Sequence, residues 1–162
     1  MEFFGASEGE FFAWEASWKK ALTLDRIQKR GFSLANRCYL CLAKEESIDH
    51  IHLHCGLARS LWSLLCSLFG ISWVLPSSIR EALLEWLGPC VGKERKKVWL
   101  SAPLCFFWIV WKERNSRVFE NEEQSILGCK SFFLCKLWAW TRGFFGSGPP
   151  SVVDFVDWLG PG

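Results

Sequence analysis

Aspartate is scarce in this 162-residue chain, occurring at positions 25, 49, 154 and 157 with no two adjacent. Two-metal phosphoryl transfer needs a tight carboxylate cluster, so a polymerase centre and a four-acid ribonuclease H centre are both excluded. Histidine is scarcer still, with three residues confined to positions 50, 52 and 54. Nor does any apolar run reach the ~20 residues that a membrane-spanning helix needs. The longest, residues 98–111, has Ser101 as its one polar side chain, contains Pro103 and is bracketed by Lys-Glu-Arg-Lys-Lys and Lys-Glu-Arg-Asn. It is predicted to be a buried core helix kinked near Pro103, with a membrane span as the alternative. The first residues, Met-Glu-Phe-Phe-Gly-Ala-Ser-Glu, lack the basic start and longer apolar core of a signal peptide. An intracellular, reducing location is therefore expected, in nucleus or cytoplasm. No internal repeat or low-complexity tract interrupts the chain.

What is abundant is apolar and aromatic: half of the residues are hydrophobic, 16% are aromatic, and there are 11 Trp and 14 Phe. Such a chain is too apolar for disorder and must bury much of this surface. The formal charge of +2 is too small to attract a polyanion through a whole-chain field. Charge is nevertheless uneven. Residues 1–17 carry four Glu and no Lys or Arg, whereas residues 18–37 carry Lys19, Lys20, Arg26, Lys29, Arg30 and Arg37 against Asp25 alone. Those six bases are candidate phosphate contacts, although a solvated helix face would have the same composition.

Directly after this basic stretch come Cys38, Cys41, His50 and Cys55, a C-x2-C-x8-H-x4-C array. Three thiolates and an imidazole form the closed tetrahedral shell of a structural zinc, with no open position for catalysis. The short spacing lets Cys38 and Cys41 approach one ion from a tight turn, and the longer gap loops away and returns through His50. If a helix begins at Ser47, His50 and His54 share a face at i,i+4 and His52 points elsewhere. His50 with Cys55 is favoured, since His54 directly adjoins Cys55 and is less able to share its metal; His54 is kept as the substitute ligand. Four ordinary buried residues, or two disulfides, are the bland readings of the same array. A thiol oxidoreductase built on Cys38 and Cys41 is disfavoured, since that chemistry wants the pair at a helix start following a strand. Cys66, Cys90, Cys105, Cys129 and Cys135 show no second ligand spacing and are expected to be thiols without chemistry.

The remaining pattern is helical. Thr23 is an N-cap candidate for a short helix that stops at Gly31. Leu57, Leu61, Leu64, Leu65, Leu68 and Phe69 line one side of a helix that ends at Gly70. Residues 71–75 form a short strand or linker, and Ser77 or Ser78 caps a helix through Trp86 or Leu87. Long helices are expected over about 93–119 and 123–145. The expected fold is mainly α: a small CCHC zinc knuckle joined to a Trp-rich bundle of about four to five helices. The expected divisions are an N-terminal tail (1–10), a basic helix plus zinc-binding module (11–70), a helical body (71–145) and a C-terminal tail (146–162).

Several strings together resemble one family: FFAWEASWKKALTLDRIQKR (11–30), the cysteine–histidine array with EESIDH (45–50), RSLW (59–62) and WIVWKERN (108–115). The chain resembles, from about residue 11 to 145, the reverse transcriptase zinc-binding domain of plant LINE-type, non-LTR retrotransposons. The resemblance implies zinc on Cys38, Cys41, His50 and Cys55, and a short fragment separated from the polymerase that such elements carry. It also implies a non-catalytic role in holding RNA or DNA, with the reverse transcriptase core as a partner in the parent element. In that role the six bases would contact phosphates, and Tyr39 or a nearby aromatic would stack on an unpaired base. The competing expectation is a structural or protein-interaction piece in which zinc only stabilises the fold and exposed Trp-rich surface favours self-association.

Overall fold

The structure, a computed structural model, describes residues 20–88, 91–144 and 148–160. Among them are six α-helices and no strand: α1 (Leu24–Lys29), α2 (Gly56–Phe69), α3 (Ile79–Trp86), α4 (Lys96–Asn115), α5 (Ile126–Thr141) and α6 (Val152–Leu159). A π-helical turn, His50–His54, precedes α2, and a second, Ser116–Glu120, follows α4. The mainly helical expectation holds. Lys19, Cys90 and the expected tail over 1–10 lie outside the described residues.

Local chemistry accounts for most boundaries. α2 ends at Gly70, whose φ of 65° is costly for a side chain, and the Ile71 amide reaches back to the Cys66 carbonyl at 2.9 Å. Ser78 caps α3 by accepting from the Glu81 amide, while Glu81 returns to accept from the Ser77 amide and hydroxyl. Ser125 and Ser151 cap α5 and α6 through the amides of Gly128 and Asp154. Residues 146–162, expected as a tail, therefore contain a helix. The reason is the Ser-x-x-Asp cap followed by Phe155 and Leu159 at i,i+4, both completely buried.

The apolar run at 98–111 became the spine of the body. α4 packs against α2, α5 and the first π turn, with Val98, Ala102, Cys105, Phe106, Phe107 and Val110 sealed from solvent. No described helix is long and apolar enough to cross a membrane. Trp62 of α2 is the hub of the aromatic core, its ring centroid 4.2 Å from Phe106, 5.1 Å from Trp73 and 5.5 Å from Trp86.

Pro103 lies inside α4, where a proline has no amide to offer the carbonyl four residues earlier. That carbonyl belongs to Trp99, and the Trp86 indole donates to it at 2.7 Å. The Trp99 indole donates in return to the Trp86 carbonyl at 2.8 Å, at the C-terminal end of α3 where helical carbonyls lack partners. The two rings stack at 3.6 Å with 4° between their planes. One pair of side chains thus repairs both a proline defect and a helix end.

Trp86→Phe should lower stability to urea by about 1–3 kcal/mol, because the Trp99 carbonyl is left buried without a donor. In a Pro103→Ala background the new amide can serve that carbonyl, so the same substitution should cost less. Equal costs in both backgrounds would show that the carbonyl is not the reason.

Candidate metal centre

Cys38 opens a tight turn. Its carbonyl accepts from the Leu42 amide at 2.9 Å, its amide donates to the Lys44 carbonyl at 2.8 Å, and its sulfur accepts from the Leu40 amide at 3.4 Å. This winding forces Leu42 to a φ of 55°, an unusual setting for a branched side chain. Cys41 is thereby turned toward Cys38. On the other side, the π turn closes with a hydrogen bond from the Cys55 amide to the His50 carbonyl at 2.7 Å. An ordinary α-helix would splay residues i and i+5 apart, whereas the wider π ring brings them to one side. It is therefore a π turn, and not an α-helix, that sets His50 and Cys55 on one side.

The ligand atoms of Cys38, Cys41, His50 and Cys55 all lie within 4.8 Å of one another. A tetrahedral zinc sets its sulfur ligands about 3.8 Å apart, so small inward shifts complete the shell. Nε2 of His50 is 3.4 Å from the Cys41 sulfur and is the nitrogen that faces the cluster. His54, the substitute ligand, turns away: its Nε2 lies 3.3 Å from the Ser77 carbonyl oxygen. The described cysteines, these among them, are all unpaired thiols. The donor chemistry fits zinc. The interaction between the Cys38 and Cys55 sulfurs, with burial, holds the Cys38 thiol far above the usual range; the same interaction holds Cys55 below it, against the opposing effect of burial. Burial, aided by nearby His54, keeps the His50 imidazole below its ordinary range, in the neutral form that a metal requires. Elsewhere, burial pushes Cys129 up to about 11 and raises Cys66 and Cys105, which marks them as packing thiols.

The π turn is fixed to the body by groups that sequence reasoning did not identify. His52, expected to point away from the site, is fully buried; its ring nitrogens lie 3.1 Å from the carbonyl oxygens of Ile48 and Phe107. Burial pulls its pKa down to about 4, against the opposing pull of those two carbonyls. The Trp62 indole donates to the His52 carbonyl at 2.7 Å, and Asp49 accepts from the Ile79 amide at 2.9 Å.

Glu46, within the loop between Cys41 and His50, is likewise completely buried. Arg114 of α4 grips it with two bonds, Nη2 to Oε1 at 2.7 Å and Nε to Oε2 at 3.2 Å, and the Leu24 amide adds a third at 2.9 Å. Both residues lay in strings that carried the family resemblance, EESIDH and WIVWKERN. Nothing in their spacing joined residue 46 to residue 114.

The bases are distributed around this frame. Lys20, Lys29, Arg30 and Arg37 are exposed and Arg26 is half-buried. Lys29 pairs with Asp25 at 3.2 Å, and Nε of Arg37 donates to the Leu42 carbonyl, which ties that residue to the knuckle. One face of Tyr39 is taken by the Arg114 guanidinium, 5.4 Å from the ring centre.

The ligand geometry has a direct test. His50→Ala should abolish stoichiometric zinc, measured by elemental analysis of the purified chain, whereas His54→Ala should retain one ion per chain. The reverse result would reassign the imidazole ligand.

Two comparisons, with curated proteins and with solved structures, return no match. A third finds that residues 6–62, which include the whole ligand array and end at Trp62, match the family described as zinc-binding in reverse transcriptase; no polymerase domain is detected.

Proposed function

We propose that this chain is a non-catalytic zinc-binding module, derived from a retrotransposon reverse transcriptase, that holds RNA or DNA through the basic residues flanking its metal centre. The observation that carries the reading is the attachment of the basic helix to the cluster: the Leu24 amide at the start of α1 is bound by Glu46, which sits between Cys41 and His50 in the chain. In this reading Cys38, Cys41, His50 and Cys55 hold one zinc and stiffen the turn. Lys20, Arg26, Lys29, Arg30 and Arg37, with Lys19, then present positive charge to phosphates. Phosphate contacts fix position without reading sequence, so binding should be tolerant of sequence and sensitive to salt. Because Arg114 covers one face of Tyr39, base stacking there is confined to the other. The reverse transcriptase core of the parent element is a natural partner, and a reducing compartment suits the thiolate ligands.

A structural or protein-interaction role is the second reading. It is favoured by exposed apolar side chains: Phe119 is 77% accessible and Leu127 74%.

Binding of single- and double-stranded oligonucleotides, followed at several salt concentrations, separates the two. The first reading expects the logarithm of affinity to fall by roughly 0.7–0.9 per phosphate contact for each decade of salt. Arg30→Ala should flatten that slope by about one contact. Cys38→Ser with Cys41→Ser should remove both zinc and salt-sensitive binding. Absence of binding by the zinc-loaded protein, together with self-association, would select the second reading.

A further inference from the structure

α1 is six residues long, well under the ~12–15 residues at which an isolated helix becomes even marginally stable, so its position must be imposed from outside. Its own cap does not do this. Thr23 occupies the N-cap position, but its hydroxyl donates to Asp25 instead of accepting an amide. The acceptor for the Leu24 amide comes from a distant part of the chain, the Glu46 carboxylate at 2.9 Å. A negative group at this end also suits the helix dipole. Beyond Leu24, the residues of α1 are half-buried or exposed.

The position of Glu46 is in turn imposed by its loop. Residues 42–45 are exposed, and Glu46 is the first buried side chain after Cys41. Asn36 clasps its backbone, donating to the Glu46 carbonyl at 3.1 Å and accepting from the Glu46 amide at 2.7 Å. The two ends of the loop are the ligands Cys41 and His50, whose side chains stand 3.4 Å apart. A metal joining these ends removes most of the loop's freedom, and with it the entropy that would oppose burying a carboxylate at one spot.

We infer that Glu46 is a metal-dependent positioning residue: zinc fixes the loop, the loop fixes the carboxylate, and the carboxylate holds both Arg114 and the start of the basic helix. The binding surface is then assembled only in the metal-loaded chain. The relay itself rests on the zinc reading of the cluster, and its consequence for nucleic acid rests on the proposed function.

Amide hydrogen exchange on the full chain tests it, in the zinc-loaded state, after chelation, and in zinc-loaded Glu46→Gln. Chelation of the wild type should raise exchange across residues 24–30 and 42–49 together by at least about tenfold, while α4 and α5 stay protected. Glu46→Gln should keep one zinc yet show the same rise at 24–30, a separation that a merely destabilised fold would not give. Should that variant fail to fold, Asn36→Ala loosens the loop while leaving the buried ion pair in place. With zinc retained, it should also speed exchange at 24–30. Protection of 24–30 that survives chelation, or that is unchanged in a folded, zinc-loaded variant, overturns the inference. Absence of nucleic-acid affinity in the zinc-loaded wild type would instead sink the proposed function and leave the exchange result standing.

Discussion

A carboxylate withdrawn from water must recover its lost hydration from the protein, and Glu46 does so by drawing three parts of the chain to one point. Arg114 supplies the counter-charge in a two-pronged grip and the Leu24 amide fills a remaining lone pair. Neither charge could stay buried alone: removing one partner of such a pair typically costs 3–5 kcal/mol. The pair is therefore weak evidence of added stability and strong evidence of fixed geometry. It welds a helix start, a metal-binding loop and the end of the central helix into one arrangement. Arg114 is held further by the rings of Trp111 and Tyr39, 5.0 and 5.4 Å from its guanidinium carbon, so the salt link is also packed.

The metal side depends on an irregular turn, and the same accounting explains why it persists. A π turn displaces carbonyls from their regular helical partners, and a buried carbonyl needs a donor. The Trp62 indole serves the His52 carbonyl, and the single N–H of the neutral, buried His52 ring serves one of the Ile48 and Phe107 carbonyls, which lie against its two nitrogens. The turn that brings His50 beside Cys55 is thus stabilised by side chains of the body. A metal site of four residues accordingly has a supporting shell that extends into α2 and α4.

The ligand set could be read from the sequence because cysteine and histidine have few other reasons to recur at such spacing. Helix ends at Gly70 and Ser78 were legible for a similar reason, since caps are local and carried by one or two residues. Glu46–Arg114 was not, because a pair separated by 68 positions leaves no local pattern. His52 points away from the ligand cluster, as the helical wheel placed it, but the wheel held no sign that its ring would be buried against the Phe107 carbonyl. The helix at Val152–Leu159 was hidden among glycines and prolines, although its Ser-x-x-Asp cap was present. Thr23 does occupy the N-cap position that its residue type indicated, but Asp25 captures its hydroxyl and no amide is capped by it.

Hydrophobic burial explains why α4 is central but not how it is oriented, because an apolar force has no direction. Residues 98–111 are apolar on almost every side and would tolerate many rotations about the helix axis. Orientation is set by polar links along α4, three of which are the Trp99 carbonyl to Trp86, the Phe107 carbonyl to His52, and the Arg114 guanidinium to Glu46. Their spacings of eight and seven residues are each roughly two helical turns, so the links form one stripe along one side. Over about 22 Å that stripe joins α3, the π turn and the metal-binding loop in sequence. Rotating the helix by a single residue would break all three and strand two indole or imidazole donors and a guanidinium in the core. The uniqueness of the fold therefore comes from a few directional bonds set into a nearly uniform apolar surface, and the last of them is the one that reaches the metal centre.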